Sequence, residues 1–119
     1  WAFDRAADYC HLVHVPDSIA QYCLGRRGRL FDQIGPVVAK DDEVADALVC
    51  AALSAAVARQ VIVDAFDAHH AFAASLRKRG FEHQRPLYRM CRPARQPSAA
   101  SGTRRYAAIE FAILGPEFS

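Results

Sequence analysis

Six residues, Gln60-Val61-Ile62-Val63-Asp64-Ala65, constrain the fold most strongly. They form a short, nearly continuous apolar run between two stretches with helical spacing. That pattern predicts a central strand covered on both faces. Before it, Val44, Ala47, Leu48, Ala51 and Ala55 recur at helical intervals, and the small alanines let such a helix lie close on a sheet. Asp41 or Asp42 can cap it, and Asp41, Asp42 and Glu43 suit its positive N-terminus. After the run, Asp67 can cap a second helix over residues 68–79, with Phe72, Ala73 and Leu76 as its apolar face. Arg77, Lys78 and Arg79 place positive charge in its last turn, and Gly80 can take the left-handed conformation that ends a helix. Phe81 then anchors the next element.

Strand patterns lie on both sides of this unit. Residues 9–15 and 19–24 are rich in strand formers and flank the turn Pro16-Asp17-Ser18, which predicts a hairpin. Residues 25–28 make a turn or bulge. Residues 30–39 form a third strand, where Gly35-Pro36 requires an edge or a bulge because proline donates nothing to a ladder. Residues 81–92 read as a long strand, 93–102 as a flexible connection and 103–114 as a last strand ended by Gly115-Pro116-Glu117. The order is β-β-β-α-β-α-β-β. The crossover through the first helix suits parallel pairing, and the last two strands suit an antiparallel pair. The fold class is α/β or α+β: one domain over 1–119, a mixed twisted sheet of about six strands with helices packed on it. The lead-in and first strand, residues 1–18, are the least defined part.

At 119 residues, 52% apolar and 24% charged, the chain is long enough to bury a core without staples. No apolar run of about 18 residues predicts a membrane span, and no basic leader with an apolar core is visible, so a cytoplasmic setting is the expectation. The net charge of +2 hides an asymmetry. Residues 1–75 carry 6 Lys/Arg against 10 Asp/Glu, and residues 76–119 carry 9 against 3. A solvated basic face accounts for this, or a patch for an anionic partner. No nucleic-acid motif is matched, so nucleic acid is not an expected partner. Cys10, Cys23, Cys50 and Cys91 form no C-x-x-C pair, which argues against structural zinc and for free thiols. A Cys10–Cys23 disulfide between neighbouring strands is the alternative.

Few side chains suggest chemistry. Asp64 ends the central run, where open α/β sheets often place functional groups. Asp64 and His69 are the candidates for a general base or an amine contact. Against that, Asp67 serves as a helix cap and His69 and His70 sit partly exposed. A metal site from Asp64, Asp67, His69 and His70 is the weaker alternative, and none is expected. His11 and His14 differ by an odd number of positions and point to opposite sheet faces, so they do not chelate together. Tyr88 and Met90 share a face, with Phe81 on the other, under a covering helix or beside a bulge.

The element order resembles the GNAT N-acetyltransferase superfamily without its first strand and leading helices. Ile34-Gly35-Pro36-Val37-Val38-Ala39, Leu76-x-x-x-Gly80-Phe81, Arg85-Pro86-Leu87-Tyr88-Arg89-Met90 and Ile113-Leu114-Gly115-Pro116-Glu117 are together similar to the C-terminal GNAT-like domain of bacterial tandem-domain acetyltransferases. The resemblance implies acetyl-CoA held in a splay between the third strand and the 60–65 strand. Backbone groups of Val37 and Val38 would meet the pantetheine, and the pyrophosphate would sit at the next helix N-terminus. The family loop, Arg/Gln-x-x-Gly-x-Gly/Ala, falls on Lys40 to Ala45. Lys40 and Ala45 fit it. Glu43 stands where the first glycine belongs, and Asp41 and Asp42 add negative charge, so the loop reads as degenerate. Leu76 stands where the family usually carries a tyrosine. The resemblance thus implies a substrate-shaping or supporting domain, with a small-molecule amine acceptor or an upstream GNAT domain as partner. The alternatives are an active N-acetyltransferase on a small amine and a non-enzymatic dimeric interaction module built on an open sheet edge.

Overall fold

In the computed structural model, residues 7–14, 16, 20–88 and 108–113 are described. Their elements are a 3-10 turn at Ala7–Tyr9, β1 (His11–Val13), β2 (Gln21–Arg26), β3 (Asp32–Val38), α1 (Asp42–Ala55), β4 (Val61–Ala65), α2 (His70–Lys78) and β5 (Glu110–Ile113). The class is mixed α and β, as the alternation of periods predicts. The described sheet has five strands.

β1 and β2 are antiparallel, with His11 opposite Cys23 and Val13 opposite Gln21. β2 and β3 are antiparallel too, and their register slips between Cys23 and Gly25. Gly35 and Pro36 supply the extra residue on β3, the bulge that the proline requires. Gly35 has φ 150° and its bond to Pro36 is cis. β3 then crosses through α1 to β4 and pairs with it in parallel, Asp32 with Val61 and Ile34 with Val63. The 60–65 run is less enclosed than its apolarity implies, since every β4 residue is only half-buried.

α1 buries Ala45, Leu48, Val49 and Ala52, at the i, i+3, i+4 and i+7 spacing of one face. Ala47, expected on that face, is exposed. Alanines mark a face weakly, and Val49 decides it by burying the larger side chain. Phe72 and Leu76 are the buried pair of α2. Together with Tyr9, Cys23, Ile34, Val37, Phe111 and Ala112 they make one core. The helices are also tied by polar groups. Arg79 Nη2 donates to Asp46 Oδ2 at 2.7 Å and Arg79 Nη1 to Ser75 Oγ at 2.6 Å, while the Ser75 hydroxyl donates to Asp46.

The end of α2 follows the expected stop. Gly80 has φ 89°, its N–H donates to the Arg77 carbonyl at 3.0 Å, and the Phe81 N–H reaches the Leu76 carbonyl at 3.2 Å. Those two bonds are the Schellman pattern. The start of α2 corrects the sequence reading. The helix begins at His70, its N-cap is His69 without a side-chain cap, and Asp67 lies in the preceding turn. The Phe72 N–H is satisfied instead by Asp42 Oδ1 of α1, 3.0 Å away.

The strand expected over 81–92 does not form in its described part. Residues 81–88 carry no regular structure, and all but Phe81 are exposed. Glu82-His83-Gln84-Arg85 has no apolar alternation to bury, and Pro86 lacks an N–H for a ladder. Phe81 packs partly buried against the core, whereas Tyr88 is 86% exposed. Residues 89–92 and 103–107 of the expected last strands lie outside the described residues, as do Met90 and Cys91. Among the described residues of the last strand, Glu110–Ile113 is regular.

Candidate functional site

The site that the sequence singles out lies where β3 and β4 part. The two strands pair over Asp32–Ile34 and Val61–Val63 and then diverge. β5 enters the gap. On one side Val37 pairs with Ala112 and Val38 with Glu110. On the other side Asp64 pairs with Ile113 and Ala65 with Ala112. Two further bonds close the ends of the wedge: Ala39 N–H to the Ile109 carbonyl at 2.9 Å, and Phe66 N–H to the Phe111 carbonyl at 3.0 Å. Val37 and Val38 also face Cys23 and Tyr22 of β2, so both edges of β3 are paired there.

His69 holds the outer side of this wedge. Its ring stacks on Phe111, with centroids 3.8 Å apart and planes 24° apart. Its Nε2 lies 3.0 Å from the Glu110 carbonyl oxygen. A carbonyl only accepts, so Nε2 carries the proton and only Nδ1 is left as a basic lone pair. Phe72 meets Phe111 edge-on, at 5.4 Å and 77°. Asp64 is engaged elsewhere. Gln33 Nε2 donates to Asp64 Oδ2 at 2.7 Å, and Arg26 Nε donates to Gln33 Oε1 at 3.0 Å. The two candidate bases therefore have different partners: His69 the strand β5, Asp64 a polar chain across the sheet.

The N-terminus of α1 is close to the wedge, one residue beyond Ala39. Asp41 is its N-cap, with extended backbone and Oδ1 accepting the Val44 N–H at 2.9 Å. Asp42 and Glu43 follow in the first turn. The Lys40 N–H donates to Gln21 Oε1 at 3.0 Å, and the Lys40 ammonium points to Asp41 at 3.7 Å. That side chain is 66% exposed, and a pair this open contributes little. Ala45 is fully buried in the core. Leu76, at the family tyrosine position, is buried too and has no proton to give.

A second polar cluster escaped the sequence reading. Asp32 is fully buried at the start of β3. It accepts Arg59 Nε at 2.7 Å, Arg59 Nη2 at 2.6 Å and the Gly28 N–H at 3.1 Å, and the Tyr9 hydroxyl donates to it as well. Burial is the largest single influence on this carboxyl and favours its neutral form. The hydrogen bonds from Arg59, Tyr9 and Gly28 and the guanidinium charge together outweigh it and hold the group below the usual carboxylate range. Burial, then the bond to Asp32, pushes Tyr9 up to about 12. The cluster ties the N-terminal turn, the β2–β3 turn and the α1–β4 loop together. The signal was an aspartate opening an apolar strand.

Cys10 and Cys23 are both free thiols, so no disulfide joins β2 to the residue before β1. Burial pushes the Cys23 thiol up to about 12, which makes it inert at neutral pH. Among the described residues no three His, Cys, Asp or Glu side chains are placed to hold a metal ion, Asp64, Asp67, His69 and His70 included. No helix of the described residues is long and apolar enough to cross a membrane.

A family model described as an acetyltransferase (GNAT) domain matches residues 4–104. That is most of the chain, and the chain belongs to this acetyltransferase family. The match ends before β5. Searches of curated proteins and of solved structures each returned no match.

Proposed function

We propose that the chain is a supporting or substrate-shaping domain of an acetyl-CoA-dependent N-acetyltransferase, with a cofactor loop that no longer takes a pyrophosphate. One observation carries this reading. The N-terminus of α1, where an anion would be bound by free N–H groups, is capped by a carboxylate of the chain itself. Asp41 takes the Val44 N–H, and two more acidic residues, Asp42 and Glu43, stand in the first turn, Asp42 also accepting the Phe72 N–H of α2. A pyrophosphate there would meet three negative charges and displace a cap worth about 1 kcal/mol. Ala45 faces the core rather than the loop mouth, and Lys40 already leans on Asp41. The residues present do not fit the cofactor.

Catalysis on a small amine would also need a base and an acid. His69, with Nε2 committed to the β5 carbonyl, keeps only Nδ1 as an acceptor, and leucine at the tyrosine position supplies no acid. In this reading the acceptor-shaping role is exercised beside a complete acetyltransferase domain in a cytoplasmic protein. Thiol release from acetyl-CoA, measured with a panel of small amines, tests it: the expected result is the uncatalysed rate. Turnover that Lys40→Ala abolishes would instead support an active enzyme with a rearranged phosphate site.

A second reading has its own observation. Among the described residues β1 pairs only with β2, and Leu12 on it is 63% exposed. An open edge of this kind can pair with a second copy. Sedimentation velocity over a hundredfold concentration range distinguishes a dimer from a clean monomer.

A further inference from the structure

β5 lies where an extended, amide-bearing ligand would have to lie. An extended chain entering the splay can bond only to the inner edges of β3 and β4. β5 takes those edges at Val37, Val38 and Ala39 on one strand and at Asp64 and Ala65 on the other. Its grip is not only backbone. Phe111 is 1% exposed and Ala112 fully buried, and the Phe111 ring packs against those of His69 and Phe72. His69 adds the bond to the Glu110 carbonyl. β5 also comes from beyond the segment that the family model matches.

We propose that β5 is an intrasteric strap, latched by His69, which fills the splay in place of a pantetheine arm and keeps the domain closed to it. This rests on the supporting-domain reading and adds a second, separable barrier. The loop carboxylates act on the phosphates, whereas β5 acts on the uncharged arm with its two amides. His69 is a positioning residue here: it acts on the strap and touches no substrate. Once its ring and its Nε2 are removed, β5 keeps the Phe72 contact and the ladder but loses one wall and one bond. The strap then opens more often, withdrawing Phe111 and Ala112 while the packing of Leu48 and Val49 on α1 is retained.

The test uses the full chain and pantetheine as the probe, which carries no phosphate and so ignores Asp41, Asp42 and Glu43. Amide exchange and amide chemical shifts are read together, in wild type and in His69→Ala. In wild type, the amides of 110–113 stay among the best protected, and pantetheine leaves Val37, Val38 and Ala39 unmoved. In His69→Ala, exchange at 110–113 rises at least about tenfold while that of Leu48 and Val49 in α1 stays unchanged. Pantetheine then shifts Val37, Val38, Ala39 and Ala65 in a saturable way. His69→Phe keeps the ring stack without the bond and falls between the two. Saturable binding to wild type with 110–113 still protected overturns the strap. So does a His69→Ala chain whose β5 is as protected as before, or whose β5 opens without admitting the probe. Acetyl-CoA added to the same samples separates the two readings: pantetheine binding without acetyl-CoA binding to wild type sinks the strap alone, and acetyl-CoA binding to wild type sinks the supporting-domain reading.

Discussion

Replacing Phe111 with alanine measures how far β5 belongs to the core. The ring is 1% exposed, stacked on His69 at 3.8 Å and edge-on to Phe72 at 5.4 Å. It belongs to the same buried core as Ile34, Val37 and Ala112. A buried phenylalanine reduced to alanine costs about 3–5 kcal/mol, from lost transfer energy plus the cavity left behind. Within that range, the two aromatic contacts place this site toward the upper end, since each pair contributes about 0.5–1.5 kcal/mol beyond area. A loss of about 4 kcal/mol is a large part of the roughly 5–15 kcal/mol that holds a domain. Urea unfolding followed by circular dichroism reads it. With a slope of about 2 kcal/mol per M, the midpoint falls by about 2 M. Ile113, half-buried at the end of β5, is the control, and its alanine variant moves the midpoint less than half as far. A Phe111→Ala midpoint within about 0.3 M of wild type, as for a surface substitution, would show that β5 does not pack in the splay.

Other outcomes follow from the same geometry. With its hydroxyl pushed up to about 12, Tyr9 gives an ultraviolet titration step at high pH, and Tyr9→Phe removes that step. Because the folded value is raised, the stability it contributes is whole below pH 10 and fades as the pH climbs toward 12. Asp32 behaves in the opposite sense. Its folded value is lowered, so its contribution is present above the ordinary carboxylate range near pH 4 and is lost as the pH falls through the lowered value. In Asp32→Asn, urea midpoints between pH 7 and pH 2.5 show a shallower acid decline than wild type, and an equal decline refutes the assignment. Two glycines give a contrast. A Cβ on Gly25 would lie 2.8 Å from both the Gln33 carbonyl oxygen and Tyr9 Cβ, so Gly25→Ala costs about 1–3 kcal/mol through overpacking. Gly80 has open space around it and φ 89°, so Gly80→Ala costs only the left-handed strain, about 1–2 kcal/mol.

Much of this fold is legible because its signals are local. The 60–65 run sits in the sheet, Asp41 caps α1, and Gly80 closes α2 by the bonds its sequence context implies. Each needs only a few neighbouring residues. The failures are long-range. The cap of α2 comes from Asp42, thirty positions before Phe72, because the folded pair of helices brings an N–H and a carboxylate together; sequence proximity alone points to Asp67. The face of α1 turns on Val49 rather than on Ala47, a choice that the packing against the sheet makes. The Asp32 cluster gathers partners from three separate segments, Tyr9, Gly28 and Arg59. At the candidate site, Val37 and Val38 lie on β3 beyond its pairing with β4, and the loop from Lys40 to Ala45 leads from there into α1. The occupant of the splay could not be read in advance, since strand periodicity over 103–114 gives a strand but not its neighbours. His69 was singled out for its chemistry, and the structure gives it a contact with β5 that proximity in sequence does not reveal.

The central claim is that the carboxylates at the α1 N-terminus, and not merely a missing partner, keep the cofactor out. Calorimetric titration of the chain with acetyl-CoA addresses it most directly. Wild type releases no saturable heat up to about 1 mM ligand, and neutralising the turn in Asp41→Ser/Asp42→Asn/Glu43→Gly moves the loop toward measurable affinity for the phosphate end. Micromolar binding of acetyl-CoA by the wild-type chain, with its three carboxylates in place, would contradict the account.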